Sequence, residues 1–183
     1  MDDKDLQIEN LFDSKQKTNK KKVDGKAKGN RTELQLCKLL SDHFGEEFSK
    51  APGSGARWSQ VSFLPEHAKK TLTGDVCVPE KFKWVIESKG GYEDDIDLNA
   101  LFNDGISRID TFIEQSQRDA SYCGRKPLIC WKRSRKPWLA MILLSDLAPL
   151  DESIFTYRIH YKDWVIMLLG DLLNQTDRNF WFS

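Results

Sequence analysis

The chain has no CxxC pair, no cysteine–histidine spacing of the zinc-binding kind, no secretory leader and no apolar run long enough to span a bilayer. Zinc ribbons and disulfide scaffolds are thereby excluded, and the expectation is a soluble cytoplasmic protein with no membrane partner. Of Cys37, Cys77, Cys123 and Cys130, three sit in apolar stretches, where cysteine behaves as a small buried hydrophobe and stays reduced. Net charge is absent too: the formal total at pH 7 is zero. That total hides an uneven distribution. Asp2, Asp3, Asp5, Glu9 and Asp13 make the first residues acidic. Lys15, Lys17, Lys20, Lys21, Lys22, Lys26, Lys28 and Arg31 follow, opposed only by Asp24. Local fields of this kind leave an anionic partner fully open.

Residues 1–29 also lack aliphatic periodicity apart from Leu6, Ile8, Leu11 and Phe12. They are expected to form a disordered acidic-then-basic tail, either solubilising or adding phosphate contacts. The remaining residues, 30–183, are long enough for one domain with its own core.

Two short apolar segments organise that domain: Thr73–Val78, which starts on Gly74-Asp75, and Phe82–Gly90, which ends in Glu87-Ser88-Lys89. Both read as strands. Side chains alternate along a strand, so Val85, Glu87 and Lys89 share a face. Paired as a hairpin, the two segments bring two carboxylates and an ammonium to one end of a sheet. Adjacent acids repel and are costly to desolvate, which makes a divalent cation their natural partner. A solvated edge hairpin remains the alternative for these three residues taken alone.

A helix is expected from near Asn30 to about Phe44, with Glu33, Cys37, Leu40 and Phe44 on one face. Glu33 is then either half of an Asn30–Glu33 capping box or a third acid turned towards the pair. Glu46–Lys50 reads as a strand, and residues 64–72 as a helical connection. The loop Pro52–Trp58, with two glycines, Ser54 and Arg57, suits a phosphate contact or an ordinary turn. Helical spacing from Leu98 to Ala120 stops at Gly124. Strands at 127–131 and 138–144 then flank a turn carrying Lys132, Arg133, Arg135 and Lys136, four cations fit to clamp a nucleic-acid backbone or to protect a sheet edge. A strand at 155–160 and a helix at about 162–173 are expected to close the domain. The apolar Phe180-Trp181-Phe182 must pack on its own domain or on a partner chain.

The order of helix with Glu33, strand, Gly-Asp strand, Glu-Ser-Lys strand, long helix and strand-turn-strand resembles the PD-(D/E)XK nuclease superfamily. More narrowly, it resembles the Holliday-junction-resolvase-like members of phages and archaea. Asn30-Arg31-Thr32-Glu33, Ala51–Ala56, Glu114-Gln115 with Ala120 and Gly124, and Lys126–Lys132 through Pro137-Trp138 carry the likeness across roughly residues 30–145. Gly74 stands where the superfamily's name-giving proline would be.

The resemblance implies an α/β restriction-endonuclease-like fold, with a mixed central sheet flanked by helices. It implies Mg²⁺ bound by Asp75, Glu87 and the Ser88 backbone carbonyl, with Mn²⁺ able to substitute. Lys89 would position water, Glu33 would bind metal indirectly or hold a second ion, and Gln115 would support the site. The expected partner is DNA, branched DNA included, cut by a homodimer in the cytoplasm, a host's if the gene belongs to a phage. A nickase or end-processing nuclease, and an idle nuclease fold serving as a DNA-binding subunit, are the alternatives.

Overall fold

The computed structural model describes residues 25–52, 63, 65–91, 107–148 and 150–183. The elements are α1 (Gly25–Phe44), β1 (Ser49–Lys50), α2 (Glu66–Leu72), β2 (Val76–Cys77), β3 (Trp84–Gly90), α3 (Arg108–Cys123), β4 (Lys126–Lys132), β5 (Trp138–Leu143), α4 (Leu144–Leu147), β6 (Arg158–Tyr161), β7 (Trp164–Leu168), α5 (Leu169–Gln175) and α6 (Arg178–Trp181). A five-stranded sheet runs β3-β4-β5-β7-β6. β3 and β4 are parallel, as their connection through α3 requires, and the other pairs are antiparallel. β1 and β2 form a separate two-stranded ribbon.

Alternation along the strands sorts the core into two layers. Trp84 and Ile86 of β3, Leu128 and Cys130 of β4 and Val165 and Met167 of β7 join Leu36 and Leu40 of α1 and Leu172 of α5. Ile129, Trp131, Trp164 and Ile166 face the opposite way, onto Ile109, Phe112 and Ile113 of α3. The sheet is thus flanked by helices on both faces, a mixed α/β architecture consistent with the nuclease fold. Val85 packs with Ala120 and Cys123 of α3, so the side chains that share its face of β3, Glu87 and Lys89, are delivered to the α3 side.

Three expectations change. α1 starts at Gly25 rather than near Asn30, so Asn30 is interior to the helix and its capping box with Glu33 does not exist. The Gly-Asp segment does not pair with β3 as a regular hairpin. Its strand is two residues long and pairs with β1, while the Asp75 amide donates to the Ile86 carbonyl at 2.9 Å. Residues 164–168, expected to be helical, form β7. A strand buried on both faces reads as an unbroken apolar run, which periodicity cannot tell from a buried helix. The turn before it places Lys162 at φ 52°, which closes the chain back onto β6.

α2 and the β4–β5 pair fall where the pattern put them. The strand expected over 46–50 is only Ser49–Lys50, and the one expected over 155–160 is Arg158–Tyr161. α3 is described from Arg108, the expected start at Leu98 lying outside the described residues. The C-terminal aromatics pack on their own domain. Trp181 stacks on Phe82 at 5.9 Å, and Phe44 meets Trp181 and Phe182 edge-on at 5.4 Å each. All four cysteines are free thiols. Among the described residues no helix is long and apolar enough to cross a membrane.

Candidate active site

Asp75 is aimed by the residue before it. Gly74 has φ 86°, and a Cβ there would lie 2.6 Å from the Ile86 carbonyl oxygen and 2.9 Å from Val85 Cγ2. Proline, locked near −65°, cannot take this backbone, which accounts physically for glycine at the position. The tight approach lays Asp75 against β3. Its Oδ2 accepts from the Ser88 amide at 2.9 Å, so the carboxylate is tied to the strand that carries Glu87 and Lys89.

Glu87, only 3% exposed, is the centre of the cluster. Its Oε1 accepts from Lys89 Nζ at 2.5 Å and from Gln115 Nε2 at 2.5 Å. Gln115 Oε1 in turn accepts from Lys89 Nζ at 2.8 Å, closing a three-membered ring of hydrogen bonds. The lysine also lies 5.1 Å over the Phe112 ring. Gln115 projects from α3 into this ring, whereas the neighbouring Gln117 is exposed.

Burial pushes the Glu87 carboxyl well above the usual range, and the charge of Asp75 raises it further, against the opposing pull of Lys89. Two buried acids in this relation need a cation more than one ammonium supplies. Oxygen donors from Asp75, Glu87 and the Ser88 carbonyl suit a hard divalent ion such as Mg²⁺, which takes one or two carboxylates and keeps several waters. The donor set therefore fits the metal that the resemblance implied. Among the described residues, no group of three or more His, Cys, Asp or Glu side chains gathers closely enough to hold an ion.

Glu33 accordingly stands outside the immediate pair. It is buried, and its Oε2 pairs with Lys50 Nζ at 2.9 Å. Lys50 lies opposite Val76, one residue from Asp75, so Glu33 flanks the pair from the α1 side. Its charge is felt by Cys37, whose thiol is pushed up to about 11 by burial first and then by Cys77 and Glu33, against Lys50.

Lys132, Arg133, Arg135 and Lys136 sit at the β4–β5 turn and line one cavity of about 710 Å³, beside Gly91 at the end of β3. Ser54 and Arg57 lie outside the described residues.

One acid was missed by the sequence reading. Asp119 is buried on α3, and its carboxyl is raised by burial; Arg118 opposes this and the Asp75 charge adds to it. Its Oδ1 makes no hydrogen bond among the described residues, and the Arg118 guanidinium lies 3.6 Å away. The signal was the Gln115–Asp119 spacing, which puts both on one helix face.

A family model described as "Phage putative PDDEXK endonuclease" matches residues 24–181, which contain every member of the cluster. Protein D14 of Escherichia phage T5 is 33% identical over 128 residues, covering 68% of this chain and 74% of the phage protein. No solved structure gives a significant match. With the family model matching most of the chain, the protein belongs to the phage putative PDDEXK endonuclease family.

Proposed function

We propose that this protein is a Mg²⁺-dependent DNA endonuclease that hydrolyses phosphodiester bonds, with branched DNA as its preferred substrate. The observation that carries the reading is the buried Asp75–Glu87 pair wired to Lys89 and Gln115. A module that only binds a polyanion gains nothing from two desolvated acids facing it, which disfavours an idle nuclease fold.

Asp75, Glu87 and the Ser88 carbonyl would hold the ion. A bound Mg²⁺ supplies Lewis acidity, lowering the pKa of water and offsetting charge on the phosphate. The chain's own residues do the rest. The Ser88 amide fixes the Asp75 carboxylate. Gln115 bridges Glu87 and Lys89 and so locks the lysine rotamer. An ammonium held there orients the attacking water and offsets the negative charge that builds on the phosphoryl oxygens. Water oxygen attacks phosphorus and the bond to the leaving sugar oxygen breaks, with no covalent enzyme intermediate. Glu33 adds negative charge at the flank and acts on the metal indirectly.

The preference for branched DNA rests on the likeness to junction-resolving nucleases. Such enzymes cut two strands with two sites, which implies a homodimer. Phe180–Phe182 cannot supply that interface, because Trp181 and Phe182 are already buried in their own core. Incubation with labelled four-way junction, duplex and single strand, each with Mg²⁺ or EDTA, tests the reading. Junction cut fastest and only with metal is the expected result. Duplex cut equally well would point to a nickase or end-processing enzyme, and no metal-dependent cutting of any substrate would refute the nuclease reading.

A further inference from the structure

Beyond the end of β3 the molecule opens into the cavity of about 710 Å³ described above. Its two walls come from distant parts of the chain: Lys28 and Arg31 on the first turns of α1, and Lys132, Arg133, Arg135 and Lys136 on the β4–β5 turn. Among the described residues that line it, six are cations. Cations brought to one place from two parts of the chain suit a polyanionic ligand.

The cavity is built rather than incidental. Thr32 Oγ1 would lie 2.6 Å from a Cβ on Gly90, so α1 rides directly on the end of β3. The Lys28 ammonium would be 3.2 Å from a Cβ on Gly91, so that glycine opens the floor beneath it. Gly91 is pinned from both sides: its amide donates to the Lys132 carbonyl at 3.0 Å, and its carbonyl accepts from Trp131 Nε1 at 3.2 Å. Lys132 lies 5.3 Å over the Trp138 ring and donates to Gln35 Oε1 at 3.3 Å. The turn holds Arg135 at φ 59°, a left-handed backbone that an L side chain adopts only at a steric cost. Glycine or asparagine would relieve that cost, yet the position carries a guanidinium.

We infer that this two-walled cavity is the track for the DNA strand being cut, seating the phosphates next to the scissile one. Its place along β3 fixes the spacing. Gly91 lies two residues beyond Lys89, ~7 Å along a strand, which is about one step between neighbouring phosphates along a DNA backbone. The cavity floor thus meets the backbone beside the phosphate at Lys89. The inference rests on the nuclease reading for where the scissile phosphate sits; binding in the cavity does not need it.

Fluorescence anisotropy of labelled duplex and four-way junction in EDTA, as a function of salt, reads the cavity without any chemistry. The variants are Lys28→Gln/Arg31→Gln for one wall and Arg133→Gln/Arg135→Gln for the other, with melting curves to establish folding. Lys38→Gln, an exposed cation paired with Asp42 elsewhere on α1, is the control. Each wall pair should weaken binding at least tenfold and reduce the log–log salt slope by about 0.9 per lost phosphate contact, with the control unchanged. A slope unaffected by either wall, or shifted equally by Lys38→Gln, overturns the inference.

Neutral methylphosphonates placed singly along the substrate then locate the track. Wild type should lose affinity for substitutions on one side of the cut only, and the wall variants should be insensitive to them. Equal sensitivity on both sides, or in the wall variants, also overturns it. Wall variants that bind normally while metal-dependent cutting persists sink this inference and spare the nuclease reading; reduced slopes in a protein that never cuts do the reverse.

Discussion

At the residue scale, the site depends on Gly74 as much as on its acids. Gly74→Ala forces a Cβ into the Ile86 carbonyl and a side chain into left-handed backbone. The backbone term alone costs about 1–2 kcal/mol, so thermal denaturation should show a drop of several degrees. Cleavage should fall further than stability because Asp75 is displaced; a variant with wild-type melting and activity would show that the approach is not tight. Glu87 gives a pH signature. Its folded pKa is raised, so its contribution is present below the ordinary glutamate value of about 4.3 and is lost as pH rises through the raised value. In EDTA, wild type should therefore lose stability relative to Glu87→Gln as pH rises from 4 to 8. Mg²⁺ should restore stability to wild type alone. Parallel melting profiles would mean that Glu87 is not penalised by burial.

At the element scale, α3 is what brings Gln115 to Glu87, and its N-terminus is anchored by contacts the site does not use. Ser107 and Asp110 form a reciprocal capping box, and Asp110 Oδ1 also accepts from Tyr161 at 3.0 Å and Lys162 at 2.7 Å. Burial pushes the Asp110 carboxyl up, but hydrogen bonds from Lys162, the Ser107 amide and Tyr161 outweigh it and hold it below the usual range. A lowered folded pKa gives stability that is present above the unfolded value near 3.9 and lost as pH falls through the folded one. Asp110→Asn should cost about 1–3 kcal/mol at pH 7. The gap from wild type should close as melts are taken below pH 4; a gap independent of pH would assign the loss to shape alone. This anchor was illegible in the sequence, since it joins residues 51 positions apart across the sheet. The same limit explains β7. Trp164–Met167 carries no period, and only its partners on β5 and β6 decide that it is a strand.

Across the whole molecule, the chain closes on itself through its last residues. Trp181 is 1% exposed and donates to Thr176 Oγ1 at 2.7 Å, and Phe182 bridges to Phe82 in the segment leading into β3. Trp181→Ala should cost about 3–5 kcal/mol, lowering the denaturant midpoint without altering DNA contacts made through the basic cavity. A small loss would mean that the C-terminal helix frays from the core. What the sequence disclosed follows a physical rule. Asp75, Glu87 and Lys89 could be grouped because strand alternation and motif order act within short segments. Gln115 rested on the motif resemblance alone, helical spacing having placed Gln117 nearer the apolar face. Glu33's pairing with Lys50, the partner of β2 and the second wall of the basic cavity were not legible, because each depends on where a distant segment lands.

The central claim is that the Asp75–Glu87 pair serves catalysis rather than folding. Its most direct test is a single-turnover cleavage assay in Mg²⁺, run beside anisotropy binding, for Asp75→Asn and Glu87→Gln. Each substitution removes negative charge that faces phosphate. Cleavage should fall by several orders of magnitude while DNA affinity holds or tightens. Binding and cleavage lost in step, or cutting that survives both substitutions, would contradict the account.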